Sequence, residues 1–301
     1  MSQLAPPPEQ LPLGRDGPPV SPIAWGMWRL AGSREEAATL VAAALDAGFN
    51  LLDTADIYGF DGSSGFGDAE TLLGEVLAAD AGLRTRMVLA TKGGIRPPLP
   101  YDQSPAYLAE AIDASLRRLQ VDRVELYQIH RPDILAHPQE VARALEQAVS
   151  SGKVGQVGVS NFTVAQIDTL QHFLSVTLAT TQPEISPLRI DCFENGELDQ
   201  AMRLGLRPLA WSPLGGGRLA EPQEERDHAV CAALDAIATD QGVSRTVAAY
   251  SWLMAHPAGI IPIVGSQRPE RIAEAAAARS VRWTREQWYA VLVAARGERL
   301  P

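Results

Sequence analysis

Four polar side chains follow three apolar segments of the sequence and together can act on a carbonyl group. Asp53 and Tyr58 lie in "NLLDTADIYG" (50–59), Lys92 lies in "ATKGG", and His130 ends "LYQIH". A tyrosine hydroxyl has an unperturbed pKa of about 10 and donates a proton poorly unless its anion is stabilised. A nearby lysine ammonium stabilises that anion, and an aspartate keeps a buried lysine charged. With a histidine that hydrogen-bonds a carbonyl oxygen, this set can deliver a proton to a carbonyl.

Such residues need a scaffold that brings separate segments together, and the sequence predicts one. Eight short apolar runs alternate with helical patterns. The runs span residues 22–27, 49–53, 87–91, 124–129, 154–160, 178–182, 207–211 and 259–264. Eight such units in about 250 residues predict a single-domain α/β fold, the closed (β/α)8 TIM barrel. An open doubly wound sheet is the alternative, but "GMWRLAGSREE" after the first run lacks the GxGxxG spacing.

Helix-capping signals separate several of the runs. Capping boxes begin at Ser33, Thr163 and Thr284, and Pro105 follows Ser104 as a first helical residue.

A second group of polar or small residues follows the later runs. Its members are Ser160, Asn161, Gln182, Trp211, Ser212, Gly265, Ser266, Arg268 and Arg271. Because barrel enzymes build their active sites from the C-terminal ends of the strands, we expect both groups to face one mouth.

Composition disfavours several classes of protein. The 301 residues carry a formal net charge of −10, so nucleic acid and anionic membranes are not expected as partners. No apolar run is long enough to span a membrane, and the N-terminus lacks the pattern of a signal peptide. With only two cysteines, we expect a cytoplasmic protein. Residues 1–19 are rich in proline and are predicted to form an extended arm outside the barrel of residues 20–301.

Seven blocks of the chain resemble the aldo-keto reductase superfamily in order and in spacing. They are "LLDTADIYG", "ATKGG", "LYQIHRPD", "GKVGQVGVSNF", "TQPEISPL", "LAWSPLGGGRL" and "PIVGSQRPERI". The last three are most similar to a bacterial branch of NADPH-dependent oxidoreductases of unassigned substrate. The resemblance implies a barrel that reduces an aldehyde or a ketone to an alcohol by hydride transfer from a nicotinamide cofactor, which binds across the mouth without a Rossmann motif.

The resemblance also implies roles for individual residues. The catalytic tetrad, with Tyr58 as general acid, is matched by Asp53, Tyr58, Lys92 and His130. The residues that bind the nicotinamide carboxamide are matched by Ser160, Asn161 and Gln182. The aromatic residue that stacks on the nicotinamide ring is matched by Trp211. The loop that covers the pyrophosphate is matched by Ser212, Leu214 and Gly217. The contacts of the adenosine 2′-phosphate are matched by Ser266 and Arg271.

Two positions depart from the pattern of the family. Many members have lysine where this chain has Gly265, and asparagine is common where it has Ala275. Arg268 and Arg271 can still grip a 2′-phosphate with planar guanidinium groups. We therefore expect NADPH to be favoured over NADH.

The substrate pocket is less well specified. Trp28, Phe60 and Phe66 either line an apolar pocket for the substrate or pack loops against the barrel. The glycines and serines of residues 60–67, next to Tyr58, predict a mobile flap over the substrate.

Two alternatives remain open at the level of sequence. One is a metal-dependent barrel hydrolase that uses His130, Asp133, Asp53 and Asp56, although otherwise Asp56 is interpreted as a structural turn residue and no metal is expected. The other is a non-catalytic binding subunit, since potassium-channel β subunits resemble the same family.

Overall fold

A computed structural model describes residues 3–300 of the chain. Numbered in chain order, its strands are β1 (Leu11–Pro12), β2 (Pro19–Val20), β3 (Ala24–Gly26), β4 (Leu51–Asp53), β5 (Val88–Gly93), β6 (Val124–Ile129), β7 (Val154–Ser160), β8 (Thr180–Gln182), β9 (Arg207–Ala210) and β10 (Ile261–Val264). Strands β3 to β10 are parallel and close into a barrel, with β10 paired to both β9 and β3. The predicted (β/α)8 barrel is confirmed.

The helices surround this barrel. They are α1 (Arg34–Asp46), α2 (Asp68–Ala79), α3 (Ala81–Arg84), α4 (Pro105–Leu119), α5 (Pro138–Ser150), α6 (Val164–Phe173), α7 (Glu197–Leu204), α8 (Glu225–Gln241), α9 (Arg245–Met254), α10 (Pro269–Ala275) and α11 (Arg285–Arg296). The three predicted capping boxes are present at the starts of α1, α6 and α11, where each cap side chain accepts the N–H group three residues on. Within residues 3–300, no helix is both long and apolar enough to cross a membrane.

The interior of the barrel changes from apolar to polar along the strands. On β4, Leu51 is followed on the same face by Asp53, and on β6, Leu126 is followed by Gln128. On β5, which continues two residues beyond the predicted run, the inward positions end at Lys92. An apolar layer therefore lies beneath a polar layer, and the polar layer lies at the C-terminal ends of the strands.

The proline-rich N-terminal segment closes the opposite end of the barrel. Strands β1 and β2 pair as an antiparallel hairpin, and Leu13 between them is fully buried in the apolar cluster of the barrel interior. Gly14 has a φ of +74°, and a Cβ there would lie 2.7 Å from the backbone of Ala179. The Arg15 side chain donates to the carbonyl of Leu204, at 2.8 Å. The expectation of an arm outside the barrel is corrected for this hairpin, because a short apolar stretch between prolines plugs the barrel floor.

Two buried carboxyl groups, those of Glu70 and Asp56, lie next to strand β5. Glu70 of α2 is fully buried, accepts a hydrogen bond from Thr91 and pairs with Arg118 at 2.7 Å. Asp56 is 1% exposed, and among residues 3–300 neither of its carboxyl oxygens has a hydrogen-bond partner. Asp56 is therefore a buried acid and not an ordinary turn residue. Burial and then the charge of Glu70 raise the pKa of Asp56 well above its usual value.

This raised pKa makes stability depend on pH. Between the unfolded pKa of about 4 and the raised folded value, the folded chain binds more protons, so Asp56 lowers stability progressively as pH rises. We expect Asp56→Asn, which mimics the neutral acid, to raise Tm by about 2–4 °C at pH 8 and to change it little at pH 4. Scanning calorimetry across this range measures the effect.

Asp61, in the following loop, is the matched control. Its carboxylate accepts the N–H groups of Ser64 and Ser63, which lower its pKa to about 2. Asp61→Asn should therefore lower Tm at pH 8, the opposite sign. A gain from Asp56→Asn that does not vary with pH would contradict the account of Asp56 as a neutral buried acid.

Candidate active site

An ion pair between Lys92 and Asp53 occupies the polar layer of the barrel. Both side chains are almost completely buried, and Lys92 Nζ donates to Asp53 Oδ2 at 2.7 Å. Its other contacts are the carbonyl oxygen of Thr54 at 2.8 Å and the hydroxyl of Tyr58 at 3.1 Å. All three ammonium protons therefore have an acceptor.

The second oxygen of Asp53 is held by two amides that strand alternation brings inward. Gln182 Nε2 donates to Asp53 Oδ1 at 3.1 Å, and Gln128 Nε2 donates at 3.4 Å. Thr180 in turn donates its hydroxyl to Gln128 Oε1, at 2.9 Å. Gln182 was expected to serve the cofactor, whereas its amide nitrogen is bonded to Asp53 here. Gln128 and Thr180 were not identified from the sequence, although a polar residue inside an apolar strand is the signal that marks them.

The phenol of Tyr58 combines burial with a positive neighbour. Burial raises the pKa of Tyr58 above its usual value of 10.0, and Lys92 offsets only part of that rise. The lowering of the Tyr58 pKa by Lys92 agrees with the argument from sequence, which did not include the larger, opposing effect of burial. Burial lowers the pKa of Lys92, but Asp53 and then Tyr58 outweigh it, so the ammonium remains charged.

His130 faces Tyr58 across the mouth. The two ring centroids are 5.7 Å apart and the rings are nearly perpendicular. Burial, then Lys92 and then Arg131 lower the pKa of His130 well below its usual range. The imidazole is therefore neutral near pH 7 and offers one N–H donor to an oxygen placed beside Tyr58. The structure thus brings all four predicted tetrad residues together.

The residues expected to bind the carboxamide form one hydrogen-bonded group beside the tetrad. Ser160 donates to the carbonyl of Gln182 at 2.8 Å and accepts from Asn161 Nδ2 at 2.8 Å. Asn161 Nδ2 also donates to the carbonyl of His130 at 3.2 Å, and Trp211 Nε1 donates to Asn161 Oδ1 at 2.9 Å. Asn161 has a φ of 59°, a conformation that asparagine tolerates better than most residues and that is common at functional sites.

The loop after β9 presents its backbone at the same end of the barrel. Ser212, with a φ of 53°, accepts the N–H of Gly216 at 2.9 Å, and Leu214 packs against the core. Gly217 has a φ of +100°, and a Cβ there would meet no atom within 4 Å. An open, glycine-rich loop of this kind can approach a phosphate chain closely.

The segment after β10 carries both predicted arginines. Arg268 is 60% exposed and pairs with Glu270, whereas Arg271 is exposed and forms no ion pair within residues 3–300. Ser266 is anchored, since its carbonyl accepts the indole N–H of Trp25 at 3.0 Å. Next to it, both amide atoms of Gln267 are buried without a hydrogen-bond partner in the described part of the chain, so a polar ligand would suit them.

The three residues proposed for the substrate pocket have different surroundings. Trp28 is 55% exposed, stacks with Arg29 at 4.4 Å and lies against Gly265, where a Cβ would be 3.3 Å from its indole nitrogen. Phe66 packs on Phe60 and lies 5.8 Å from the guanidinium of Arg118 on α4, so it attaches the loop to the outer helices.

Phe60 instead lines an apolar groove. The groove has a volume of about 620 Å³, and its other walls include Ile57, Ile95 and residues 97–100. The 60–67 loop carries internal hydrogen bonds from Ser63 and Ser64 to Asp61. Its role as a flap stays a prediction.

The residues of the alternative metal site do not form one cluster. Asp53 is paired with Lys92, and Asp133 accepts the backbone N–H groups of Leu135 and Gln103. Within residues 3–300, no group of three or more histidine, cysteine, aspartate or glutamate side chains is arranged to hold a metal ion.

Comparison with known sequences gives matches over the whole chain. The family model described as "Aldo/keto reductase family" matches residues 22–292. A "6-dehydroglucose reductase" of Novosphingobium aromaticivorans is 73% identical over 304 aligned residues that cover 100% of both chains. A "6-dehydroglucose reductase" of Agrobacterium fabrum is 38% identical, covering 93% of this chain and 95% of its own. The oxidoreductase YdhF of Escherichia coli is 36% identical, covering 97% and 99%.

Comparison with solved structures supports the fold independently. A crystal structure of the thermostable aldo-keto reductase Tm1743, in complex with the inhibitor epalrestat, matches with a TM-score of 0.82 over 95% of this chain and 99% of that chain. At 23% identity this likeness shows the fold alone. The sequence matches carry the assignment: the chain belongs to the aldo/keto reductase family, oxidoreductases that act on carbonyl groups with a nicotinamide cofactor.

Proposed function

We propose that the chain is an NADPH-dependent reductase that converts the C6 aldehyde of 6-dehydroglucose to the alcohol. The observation that carries the reductase chemistry is the chain of contacts from Asp53 through Lys92 to the hydroxyl of Tyr58, at 2.7 and 3.1 Å. The observation that points to this substrate is the full-length 73% identity to a protein of that name.

The residues of the chain perform the acid half of the reaction. The carbonyl oxygen of the substrate binds between the hydroxyl of Tyr58 and the neutral imidazole of His130. A bound NADPH supplies the hydride that goes to the carbonyl carbon. Tyr58 gives its proton to the oxygen, and the ammonium of Lys92 stabilises the phenolate that this transfer leaves. Asp53 keeps Lys92 charged throughout.

The hydrogen-bonded group of Ser160, Asn161 and Gln182 suits a carboxamide, and the indole of Trp211 offers a flat face for a nicotinamide ring. Arg271, which has no carboxylate partner in residues 3–300, is the group we assign to the 2′-phosphate. Cys192 and Cys231 are both buried and free, which suits the reducing cytoplasm.

The side chain of Arg131, near the proposed catalytic residues, suits a hydroxylated substrate. The guanidinium of Arg131 lies 5.8 Å from the ring of Trp211 and forms no ion pair within the described residues. It is close enough to Tyr58 and His130 to influence the pKa of each. An unpaired guanidinium beside the reacting carbonyl can hydrogen-bond sugar hydroxyls.

Removing the acid tests the mechanism. Tyr58→Phe keeps the ring and removes the proton, so we expect kcat to fall about 10²–10⁴-fold while the Kd for NADPH stays within about twofold. Single-turnover oxidation of NADPH with 4-nitrobenzaldehyde measures the step. Tyr101→Phe, at an exposed tyrosine, is the control and should leave kcat unchanged. An undiminished rate in Tyr58→Phe would show that another group is the acid.

The cofactor assignment is tested at Arg271. We expect NADPH to bind more tightly than NADH, and Arg271→Ala to reduce that preference about tenfold or more, because a charge-assisted hydrogen bond is lost. Arg268→Ala should have a smaller effect, since Glu270 already pairs with Arg268. Fluorescence titration gives each Kd. Equal affinity for NADPH and NADH in the unaltered protein would refute the assignment.

The substrate assignment is tested at Arg131. We expect Arg131→Met to lower kcat/KM for 6-dehydroglucose about 10-fold and for 4-nitrobenzaldehyde less than about twofold, since only the sugar offers hydroxyl partners. Arg29→Met is the control, because that guanidinium stacks on Trp28 instead. If kcat/KM falls equally for both substrates, Arg131 stabilises the catalytic residues and does not bind the sugar hydroxyls.

A further inference from the structure

The carboxylate of Asp53 has different partners on its two oxygens. Lys92 takes Oδ2, and the amides of Gln182 and Gln128 share Oδ1 at 3.1 and 3.4 Å. A buried ion pair is favourable only when its remaining lone pairs are also satisfied. The two amides therefore help to stabilise the ion pair between Asp53 and Lys92.

The two amides differ in what else they do. Gln128 is fully buried, and its Oε1 accepts a hydrogen bond from the hydroxyl of Thr180 at 2.9 Å. Because the carboxylate of Asp53 can only accept, the amide turns its nitrogen toward Asp53, and the hydroxyl of Thr180 then donates to the oxygen at the other end. Gln182 belongs to the group that we assign to the cofactor carboxamide, so its hold on Asp53 is shared with the ligand.

We propose that Gln128, oriented by Thr180, is the positioning residue that keeps Asp53 against Lys92 when the cofactor engages Gln182. The role of Gln182 in this proposal rests on the proposed function, whereas the bonds among Gln128, Thr180 and Asp53 do not. Gln128 touches neither substrate nor cofactor in this account. It acts through Asp53 and Lys92 on the proton donor, Tyr58.

The strand register builds this arrangement. Lys92 on β5 pairs with Gln128 on β6, Gln128 pairs with Gly158 on β7, and Gly158 pairs with Thr180 on β8. A Cβ at Gly158 would lie 2.0 Å from the hydroxyl of Thr180. Glycine at this position is therefore what lets Thr180 reach across β7 to Gln128.

A packing role and a positioning role make opposite predictions at Thr180. Thr180→Val keeps the volume and removes the hydroxyl, whereas Thr180→Ser keeps the hydroxyl and removes a methyl group. If Thr180 orients Gln128, we expect Thr180→Val to lower kcat about 3- to 10-fold and Thr180→Ser to stay within about twofold. KM for the aldehyde should change less than kcat, because the substrate contacts are intact.

Two further variants complete the kinetic test. Gln128→Met removes the amide at similar volume and should lower kcat by about tenfold or more, because Asp53 loses a donor on Oδ1 that helps to hold it against Lys92. Thr181→Val is the matched control. It alters the next residue of β8, which is equally buried and points to the other face, and it should leave kcat unchanged.

A spectroscopic measurement keeps this test separate from the proposed function. In ¹⁵N-edited NMR of the cofactor-free protein, the side-chain amide signal of Gln128 is identified by its loss in Gln128→Met. We expect Thr180→Val to shift this signal and Thr180→Ser to preserve it. If the unaltered protein reduces no aldehyde, the proposed function fails while the NMR result still decides the positioning. A serine variant that is as impaired as the valine variant, in kcat and in the NMR signal, would overturn the proposal.

Discussion

The buried ion pair of Lys92 and Asp53 is the constraint on which the rest of the site depends. An ammonium and a carboxylate lose their hydration inside the barrel, and this cost is offset only where every donor and acceptor finds a partner. Lys92 has three acceptors, and both oxygens of Asp53 have donors. The chain beside this ion pair is also tightly packed. A Cβ at Gly93, next to Lys92, would lie 2.1 Å from the hydroxyl of Tyr127, so only glycine fits there.

A closed barrel suits such a pair because it separates a dry floor from a polar mouth. The apolar layer of the interior and the hairpin that carries Leu13 exclude water from below. Above them, inward positions near the C-terminal ends of β4, β5, β6 and β8 supply Asp53, Lys92, Gln128 and Gln182. The electrostatic interaction is therefore strong at the level where the chemistry would occur, since water cannot screen it from beneath.

The sequence predicted what depends on local chemistry and missed what depends on long-range contacts. Strand ends and capping boxes follow from residue types at fixed spacing. The set of Asp53, Tyr58, Lys92 and His130 came from their places at strand ends together with the resemblance to the family. Gln128 was missed because its role depends on hydrogen bonds to Asp53 and Thr180, which are 75 and 52 residues away in the sequence. The state of Asp56 depends on Glu70 and on burial, and the position of the N-terminal hairpin depends on contact between Leu13 and the barrel floor. None of these contacts leaves a periodic pattern in the sequence.

Two departures from the family pattern have physical partners. Gly265, where many members have lysine, leaves room for the indole of Trp28. Trp211, where many members have tyrosine or phenylalanine, has an N–H group that donates to Asn161, and Asn161 in turn donates to the carbonyl of His130. The indole that we propose to face the cofactor is thus linked through Asn161 to the backbone of His130.

The charge of Lys92 also affects differently the two groups that could act as the acid, Tyr58 and His130. It opposes the rise that burial gives the pKa of Tyr58, and it adds to the fall that burial gives the pKa of His130. A protonated imidazole would be the stronger acid, but a cation in that position is disfavoured by both burial and Lys92. Near neutrality the histidine is left with a single N–H to donate as a hydrogen bond, while the phenol keeps its proton and has a cation beside it to receive the negative charge. The same ammonium therefore supports the roles that we propose, with tyrosine as the proton donor and histidine as the group that orients the carbonyl.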